Sequence, residues 1–454
     1  MAFDLRSIEI PDFGLPLQQP DIPPATYERR CRSAYEGAAC DWLVVYGDRE
    51  HFANMAFLTA FEPRFEEALL LLGPKDRRIL VVGNENESYA AVARLPGLEV
   101  VLSQSLSLMA QDRTKAPSLG AVLREAGLGK GHTIGIVGWK YLEPEEWDGP
   151  APGFFVPAFL TSVLHAITGD TAALKEATPV LMHPGHGLRA IVDADQIAAY
   201  EWAAARASAT LWRIVRNIRA GDSELQAAAR MGYGGEAMNC HMMLTSSDGS
   251  EPVIGLRSPS ARVLRKGDGV SSAVSFWGGL SSRAGLITDH DDDFLKVARA
   301  YFEGLAAWYD IADIGVAGAD IFDHVTETLA RGSLRSALNP GHLTGHDEWV
   351  HSPVRPGSQD RIASGMPFQV DIIPVPMPNG WALNCEDAVT FADETLRNDL
   401  RVRHPEVISR IEARRAFVRE QIGVEIKDNI LPMSSTPLCL PPFWLSSDKL
   451  LARS

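Results

Sequence analysis

Short apolar runs alternate with helix-like or polar sequence through the first third of this chain, and this alternation restricts its fold more than any other feature. The runs are Trp42–Tyr46, Ala68–Leu72, Ile79–Val82, Val100–Leu102 and Thr133–Val137. Each is short and ends near Gly or Pro, which is typical of strands in an open α/β sheet. The pattern predicts an α/β domain over residues 27–178, preceded by a Pro-rich N-terminal arm at 1–26.

A second domain follows a turn-rich junction, TPVLMHPGHG at 178–187. Apolar residues from Ile197 to Ile218 recur every three or four positions, which predicts a long helix with one buried face. Ser223 and Gln226 have the spacing of a capping box and predict the start of the next helix.

Two more helical patterns, FLKVARAYFEGLAAWYDI and GVAGADIFDHVTETLARG, precede a strand-rich segment at 339–392. The acidic run Asp289–Asp293 directly precedes the first of them and suits a helix N-terminus. We therefore expect a catalytic domain at 185–425 and a separate C-terminal tail at 426–454. This tail is apolar and Pro-rich, and it would pack either on its own domain or on a neighbouring subunit.

The overall charge excludes some partners. The chain has 43 basic and 58 acidic residues, a formal net charge of −15, which argues against binding to nucleic acid or to an anionic membrane. No apolar run approaches the roughly 20 residues that span a bilayer, and the N-terminus has no apolar signal core. We expect a cytoplasmic protein whose five cysteines, which show no CxxC spacing, are reduced.

Three segments near the end of the chain carry the polar residues best suited to chemistry: GHLTGHDEWVHSP (341–353), SGMPFQVDIIPVP (364–376) and WALNCEDAVTF (381–391). A carboxylate in a strand of Val, Ile and Phe is costly to bury unless it is paired or bound to metal. The short PMPNG turn predicts a hairpin that brings Asp371 close to Glu386. Two such carboxylates and a His can bind a divalent metal or divide acid and base roles. Alternatively, each is an edge-strand residue in water.

The order of these segments resembles the creatinase/aminopeptidase P superfamily, which includes prolidase and methionine aminopeptidase. LRAIVDADQIAAYEWAAARA is similar to the helix after the family's domain junction, and RVLRKGDGV to the turn before its first metal-bearing strand. GHLTG fits the motif of the metal-binding His, on His342, while the next two segments place Asp371 and Glu386 at the positions of the family's two Glu ligands. The resemblance implies an α/β N-terminal domain plus an α+β pita-bread C-terminal domain, and a homodimer.

The resemblance is incomplete where the family's other metal ligands lie. Dinuclear members hold two ions with two Asp, one His and two Glu, and the two Asp come from the strands after the KGD turn. Here that region, GVSSAVSFWGGLSSRAGLIT (269–288), contains no acidic residue. His342, Asp371 and Glu386 would hold one ion at most.

A second departure concerns the loop before the KGD turn. Many members have a substrate-contacting His there, but this chain has none between His241 and Asp268, and Arg257 is the most prominent charge. We therefore expect a metal-independent, creatinase-like hydrolase of a C–N bond in a small nitrogen-containing substrate, with no cofactor.

The expected roles follow from this reading. His342 or His351 would be the general base, since imidazole titrates near neutral pH. Asp371 and Glu386 would orient the substrate or donate a proton. Arg257 or Arg283 would bind a substrate carboxylate. The further substrate-binding candidates are Ser275, His346 and Glu348.

Two alternatives remain open. One is a metal-dependent, Xaa-Pro peptidase-like enzyme with a single divalent ion on His342, Asp371 and Glu386. The other is a non-catalytic pseudo-peptidase that binds a ligand or partner through the same pocket.

Overall fold

The computed structural model describes residues 3–112, 114, 117–149 and 153–453. They form two compact units. The smaller unit is Ile22–Ala190, and the larger joins the N-terminal segment up to Asp21 to the chain from Ile191 onward. Within the described residues, no helix combines the length and the apolar character that crossing a membrane requires.

The strands are β1 (Phe3–Ser7), β2 (Trp42–Gly47), β3 (Ala68–Gly73), β4 (Arg77–Val82), β5 (Glu99–Leu102), β6 (Ile134–Val137), β7 (Leu174–Glu176), β8 (Met243–Ser247), β9 (Gly269–Phe276), β10 (Gly279–Leu286), β11 (Arg335–Ser336), β12 (His342–Leu343), β13 (Pro367–Val370), β14 (Pro374–Val375), β15 (Asn384–Phe391), β16 (Ile430–Pro432) and β17 (Lys449–Arg453). The α-helices are α1 (Pro24–Ala38), α2 (Ala53–Thr59), α3 (Asn84–Tyr89), α4 (Leu119–Ala126), α5 (Ala158–Thr168), α6 (Pro179–Met182), α7 (Ala194–Asn217), α8 (Glu224–Ala229), α9 (Asp292–Ile311), α10 (Gly318–Arg331), α11 (Glu394–Arg403) and α12 (Pro405–Phe417).

The smaller unit is built on a mixed sheet of order β5-β4-β3-β2-β6-β7. The five apolar runs of the sequence are its strands β2 to β6, as predicted. β2 pairs with β6 and β4 with β5 in parallel, whereas β3 runs antiparallel to both of its neighbours. Side chains of these strands and of α4 and α5 form one apolar core, so the alternating pattern encodes an α/β layer.

The larger unit contains a sheet of order β12-β13-β15-β10-β9-β8, to which β16 adds beside β15. Helix α7 packs on β9 and β10, and its apolar stripe shares a core with Val270, Val274 and Phe276. The predicted capping box is present at the start of α8, where Ser223 and Gln226 bond reciprocally. The acidic run precedes α9 as expected, and the Asp291 side chain accepts the Phe294 amide.

Both ends of the chain belong to this larger unit. Strand β1 pairs with β17 from Phe3↔Arg453 to Ser7↔Lys449, and β16 pairs with β15. The predicted arm up to Asp21 and the predicted tail therefore belong to the larger unit, to which they contribute β1, β16 and β17. Buried Leu440, Phe443 and Trp444 show that the apolar tail packs on its own chain.

Candidate active site

Strand register places three titratable side chains together in the larger unit. His342 opens β12 and lies opposite Gln369 in β13. Val370, the last residue of β13, pairs with Asp387, so the next step in register sets Asp371 opposite Glu386. Before His342 the chain turns at Gly341, with φ at +115°, where a Cβ would lie 3.2 Å from the Gln369 carbonyl oxygen. Only glycine meets both conditions without strain.

The resulting cluster is compact and buried. Ligand atoms of His342, Asp371 and Glu386 all lie within 4.8 Å of one another. Their exposed fractions are 0%, 6% and 5%. Nε2 of His342 and Oδ1 of Asp371 have no hydrogen-bond partner among the described residues. The hairpin predicted from the sequence brings Asp371 to Glu386, and the pairing of β12 with β13 adds His342.

Glu348 completes the electrostatics of the cluster. Its Oε1 lies 3.0 Å from Nε2 of His342, which is ion-pair distance without the angle of a hydrogen bond. Nδ1 of His342 lies 3.3 Å from the Leu343 carbonyl, so a proton on Nδ1 leaves the Nε2 lone pair facing the cluster. Trp349 stacks on the imidazole at 4.0 Å between ring centroids.

Burial and like charge raise the pKa values of both carboxyls. Burial raises the pKa of Asp371 to about 7, although His342 opposes this rise. Burial and then the Asp371 carboxylate raise the pKa of Glu386 well above its usual value. For His342, burial favours the neutral ring, but Glu348 and Asp371 outweigh it and raise the pKa.

The hairpin of β9 and β10 lies beside β15 in the sheet and contributes no carboxylate to the site. Ser271 and Ala273 of β9, with Ser282 and Ala284 of β10, line the cavity beside the cluster. Ser282 lies directly opposite Glu386. The described residues therefore offer ligands for one ion but not for the two-ion centre of the dinuclear members.

A cavity of about 640 Å³ lies next to the cluster, lined by Glu348, Asp371 and Glu386 and by many apolar side chains. His241 also lines it, as do Asn384 and Trp381, and sequence reasoning singled out none of these. His241 lies two residues before β8, and the pairing of β8 with β9 brings it to the site. No local signal marks it.

Arg283 is not a substrate-binding residue, contrary to the prediction. It is fully buried on the other face of β10. Its Nη2 lies 3.0 and 2.9 Å from the two carboxylate oxygens of Asp387. Its other donors reach backbone carbonyls, including those of Cys439 and Glu386. These partners occupy the guanidinium fully, so it has no donor left for a substrate.

Arg257 and Ser275 also lie away from the position expected of them. Arg257 is half-exposed and pairs with Glu251 at 3.0 Å between Nη1 and Oε1, and it is not among the cavity-lining residues. Ser275 is on the same face of β9 as Ser271 and Ala273 but is 1% exposed and does not line the cavity.

His346 and His351 lie outside the cluster. His346 makes edge contacts with the rings of Tyr200 and Trp277, at 5.8 and 5.6 Å between centroids. His351 forms a β-bridge with Leu343. Its backbone carbonyl accepts a hydrogen bond from the Leu343 amide at 2.7 Å. Among the described residues, His342 is the candidate base whose ligand atom lies within 4.8 Å of those of the two carboxyls.

Comparison with known proteins gives matches among solved structures alone, since no family model and no curated protein matches the sequence. A prolidase from Thermococcus sibiricus is 18% identical, with a TM-score of 0.64 over 82% of this chain and 96% of its own. Dipeptidase PepE from Mycobacterium ulcerans is 20% identical, with a TM-score of 0.61 over 82% and 94%. A putative aminopeptidase P from Bacillus anthracis is 14% identical, with a TM-score of 0.58 over 86% and 99%.

These likenesses extend over both units and nearly the full length of each neighbour. Together with the two sheets and the site geometry, they confirm the resemblance predicted from the sequence. The chain has the fold of the creatinase/aminopeptidase P superfamily, an α/β N-terminal domain plus an α+β pita-bread C-terminal domain.

Proposed function

We propose that this chain is a hydrolase of peptide-like C–N bonds that uses one divalent metal ion held by His342, Asp371 and Glu386. The observation that carries the proposal is the buried cluster itself, whose ligand atoms lie within 4.8 Å of one another. One imidazole and two carboxylates form a donor set that suits a single divalent ion. The neighbours named as prolidases and dipeptidases support a peptide-like bond as the one cleaved.

The electrostatics of the cluster support a bound cation. Asp371 and Glu386 are both buried, and Arg283, the buried cation on the same strands, is committed to Asp387 on the other face. Burying carboxylates without a partner is costly, as their raised pKa values reflect. A divalent ion would supply the missing positive charge. We therefore favour a metal-bound centre over the metal-independent one expected from the sequence.

A divalent ion held by His342, Asp371 and Glu386 would polarise a carbonyl oxygen and lower the pKa of water. As a ligand, His342 must be neutral, and Glu348 then loses its cationic partner. The Glu348 carboxylate lines the cavity, where it can accept a proton from water and deliver it to the leaving nitrogen. The products balance: water oxygen bonds to the acyl carbon, the C–N bond breaks, and the nitrogen gains the proton.

A second candidate is the metal-independent, creatinase-like hydrolase, which the raised pKa values favour. Burial raises the pKa of Asp371 to about 7 and that of Glu386 well above its usual value, so both neighbouring carboxyls favour their protonated forms more than free carboxyls do. Such a pair can divide acid and base roles without a metal. The non-catalytic pseudo-peptidase is the remaining alternative.

The test is turnover of Xaa-Pro dipeptides and their amides by protein stripped with a chelator and then reloaded with Mn²⁺, Fe²⁺, Co²⁺ or Zn²⁺. We expect turnover only after reloading, and a loss of at least about 100-fold in Glu386→Gln. Glu412→Gln, which alters an exposed ion pair with Arg401, is the matched control and should keep full activity.

The other outcomes separate the candidates. Full turnover by the stripped protein, lost in Glu386→Gln, would replace this proposal with the metal-independent hydrolase. A reloaded protein that binds the ion but cleaves none of these compounds would contradict catalysis and favour the pseudo-peptidase.

A further inference from the structure

The cavity beside the cluster has a predominantly apolar wall. Its lining includes Leu280, Met377 and Trp381, and its rim includes Leu256, Leu338 and Trp349. The rim side chains are 77%, 46% and 39% exposed. Apolar side chains of this size left open to water around a concave site are typical of a surface that binds an apolar ligand group.

The carboxyl groups at the same cavity have no basic counterpart among its lining residues. Glu348, Asp371 and Glu386 line it, and none of the described residues in its lining is a lysine or arginine. His241 is the one imidazole in this lining. Arg257, next to the rim residue Leu256, is held 3.0 Å from Glu251.

We infer that this pocket binds amides that carry an apolar group and no free carboxylate, with neutral or cationic ends. The inference takes the proposed hydrolase site as given and names its substrate class. The apolar wall favours burial of an aromatic or branched side chain. The acidic lining favours an ammonium group and rejects an anion.

Charge balance shows why a carboxylate is excluded even in the loaded site. A divalent ion offsets two of the three carboxylates, and Glu348 still contributes its negative charge to the cavity. A substrate carboxylate would lose its hydration there without gaining a lysine or arginine partner. A dipeptide with a free C-terminus is therefore a poorer ligand than the same dipeptide amide.

The experiment compares Phe-Pro-amide, Phe-Pro and Glu-Pro-amide by calorimetric binding to the metal-free protein, so that a bond between carboxylate and metal does not mask the preference. We expect Phe-Pro-amide to bind at least about tenfold more tightly than either of the others, because each of them places a carboxylate in the acidic, apolar site. Equal or tighter binding of Phe-Pro or Glu-Pro-amide would overturn the inference, as would failure of all three to bind.

A pair of variants at Leu338 tests the charge argument separately. Leu338→Arg places a cation at the half-exposed rim and should reduce the preference for Phe-Pro-amide over Phe-Pro by at least about fivefold. Leu338→Gln, the neutral control, should keep that preference. An unchanged preference in Leu338→Arg would contradict an electrostatic origin.

Turnover by the reloaded enzyme is measured with the same three compounds and tests the proposed function alone. Tight binding of Phe-Pro-amide without cleavage would remove the hydrolase proposal and leave the ligand class standing. Cleavage of Phe-Pro at the same kcat/KM as its amide, with no binding preference, would remove the ligand class and leave the hydrolase proposal standing.

Discussion

Strands β10 and β15 bury charges on both of their faces, and the two faces differ in how those charges are satisfied. On one face Arg283 and Asp387 lie in contact, and further backbone groups satisfy the guanidinium. On the other face Ser282 lies opposite Glu386, and the nearest titratable neighbours of Glu386 include a second carboxyl, Asp371. Both faces are buried to a similar degree, but only the face with Arg283 carries an arginine or lysine beside its carboxylate.

This difference distinguishes a structural ion pair from a candidate site. The Arg283–Asp387 pair is complete within the chain and holds β10, β15 and the C-terminal segment together. The Asp371–Glu386 pair is incomplete, and its raised pKa values show that the fold bears a free-energy penalty there. Such a penalty is expected where a bound ligand supplies the positive charge that the chain itself does not provide.

The largest expected effect comes from breaking the complete face. Arg283→Met leaves the Asp387 carboxylate buried without its cation, and we expect a loss of about 3–5 kcal/mol in the free energy of unfolding. Denaturant unfolding of the metal-free protein measures this loss. Arg257→Ala, which removes an exposed pair, is the control and should change stability by less than about 1 kcal/mol. Wild-type stability in Arg283→Met, with weaker substrate binding, would restore Arg283 as a substrate ligand.

The incomplete face should make the stability of the metal-free protein depend on pH. The pKa of Asp371 is raised from 3.8 to about 7 in the folded state, so the folded protein holds this proton more tightly than the unfolded chain. Its favourable contribution is full below about pH 4 and is lost as pH rises to about 7, by at most about 4 kcal/mol.

Unfolding curves between pH 4 and 8 for the wild type and Asp371→Asn measure this contribution as their difference. We expect that difference to change over the same range in which proton competition weakens metal binding. A difference independent of pH would show that Asp371 is not held protonated by its surroundings.

Neighbouring substitutions on β15 should have opposite signs. Glu386→Gln removes a carboxyl that has no cation, so we expect the metal-free protein at pH 8 to gain about 1–2 kcal/mol. Asp387→Asn, one residue along the strand, removes half of a complete pair and should lose about 3 kcal/mol. Unfolding in the presence of chelator compares the two. Destabilisation by both would mean that Glu386 has a structural partner.

A smaller effect should follow from adding a carboxylate on the β10 side. Ser282→Asp sets a further acidic side chain opposite Glu386 and should lower metal-free stability by about 1 kcal/mol while raising divalent-ion affinity about tenfold. Ser282→Asn is the neutral control for size and polarity. Equal ion affinity in both variants would indicate that Ser282 does not face the ion-binding cluster.

The sequence predicted the elements well because its signals are local. The five apolar runs became strands of the smaller unit, and the capping box at Ser223 became a helix start. The pairing of Asp371 with Glu386 was also predictable, because a short turn joins the strand that ends just before Asp371 to the strand that carries Glu386. The register of β13 against β15 then places both carboxyl groups on the same face of the sheet.

The features that the sequence misplaced or missed share a physical cause, since the position of each depends on a contact between distant segments of the chain. Arg283 resembled a free cation in the sequence because its partner Asp387 lies 104 residues away, and strand alternation decides which face it occupies. His241 reaches the cavity only through the pairing of β8 with β9. The arm at 1–26 and the tail at 426–454 read as separate because the β1–β17 pairing joins opposite ends of the chain.

The metal content of the protein tests the central claim most directly. Elemental mass spectrometry would be run on protein purified without chelator or affinity nickel, beside Glu386→Gln and the surface control Glu412→Gln. We expect close to one equivalent of a divalent metal in the wild type and the control, and less than about a tenth in Glu386→Gln, because one of the three ligands is lost. Less than a tenth of an equivalent in the wild type, even after incubation with divalent ions, would contradict this expectation, as would two equivalents.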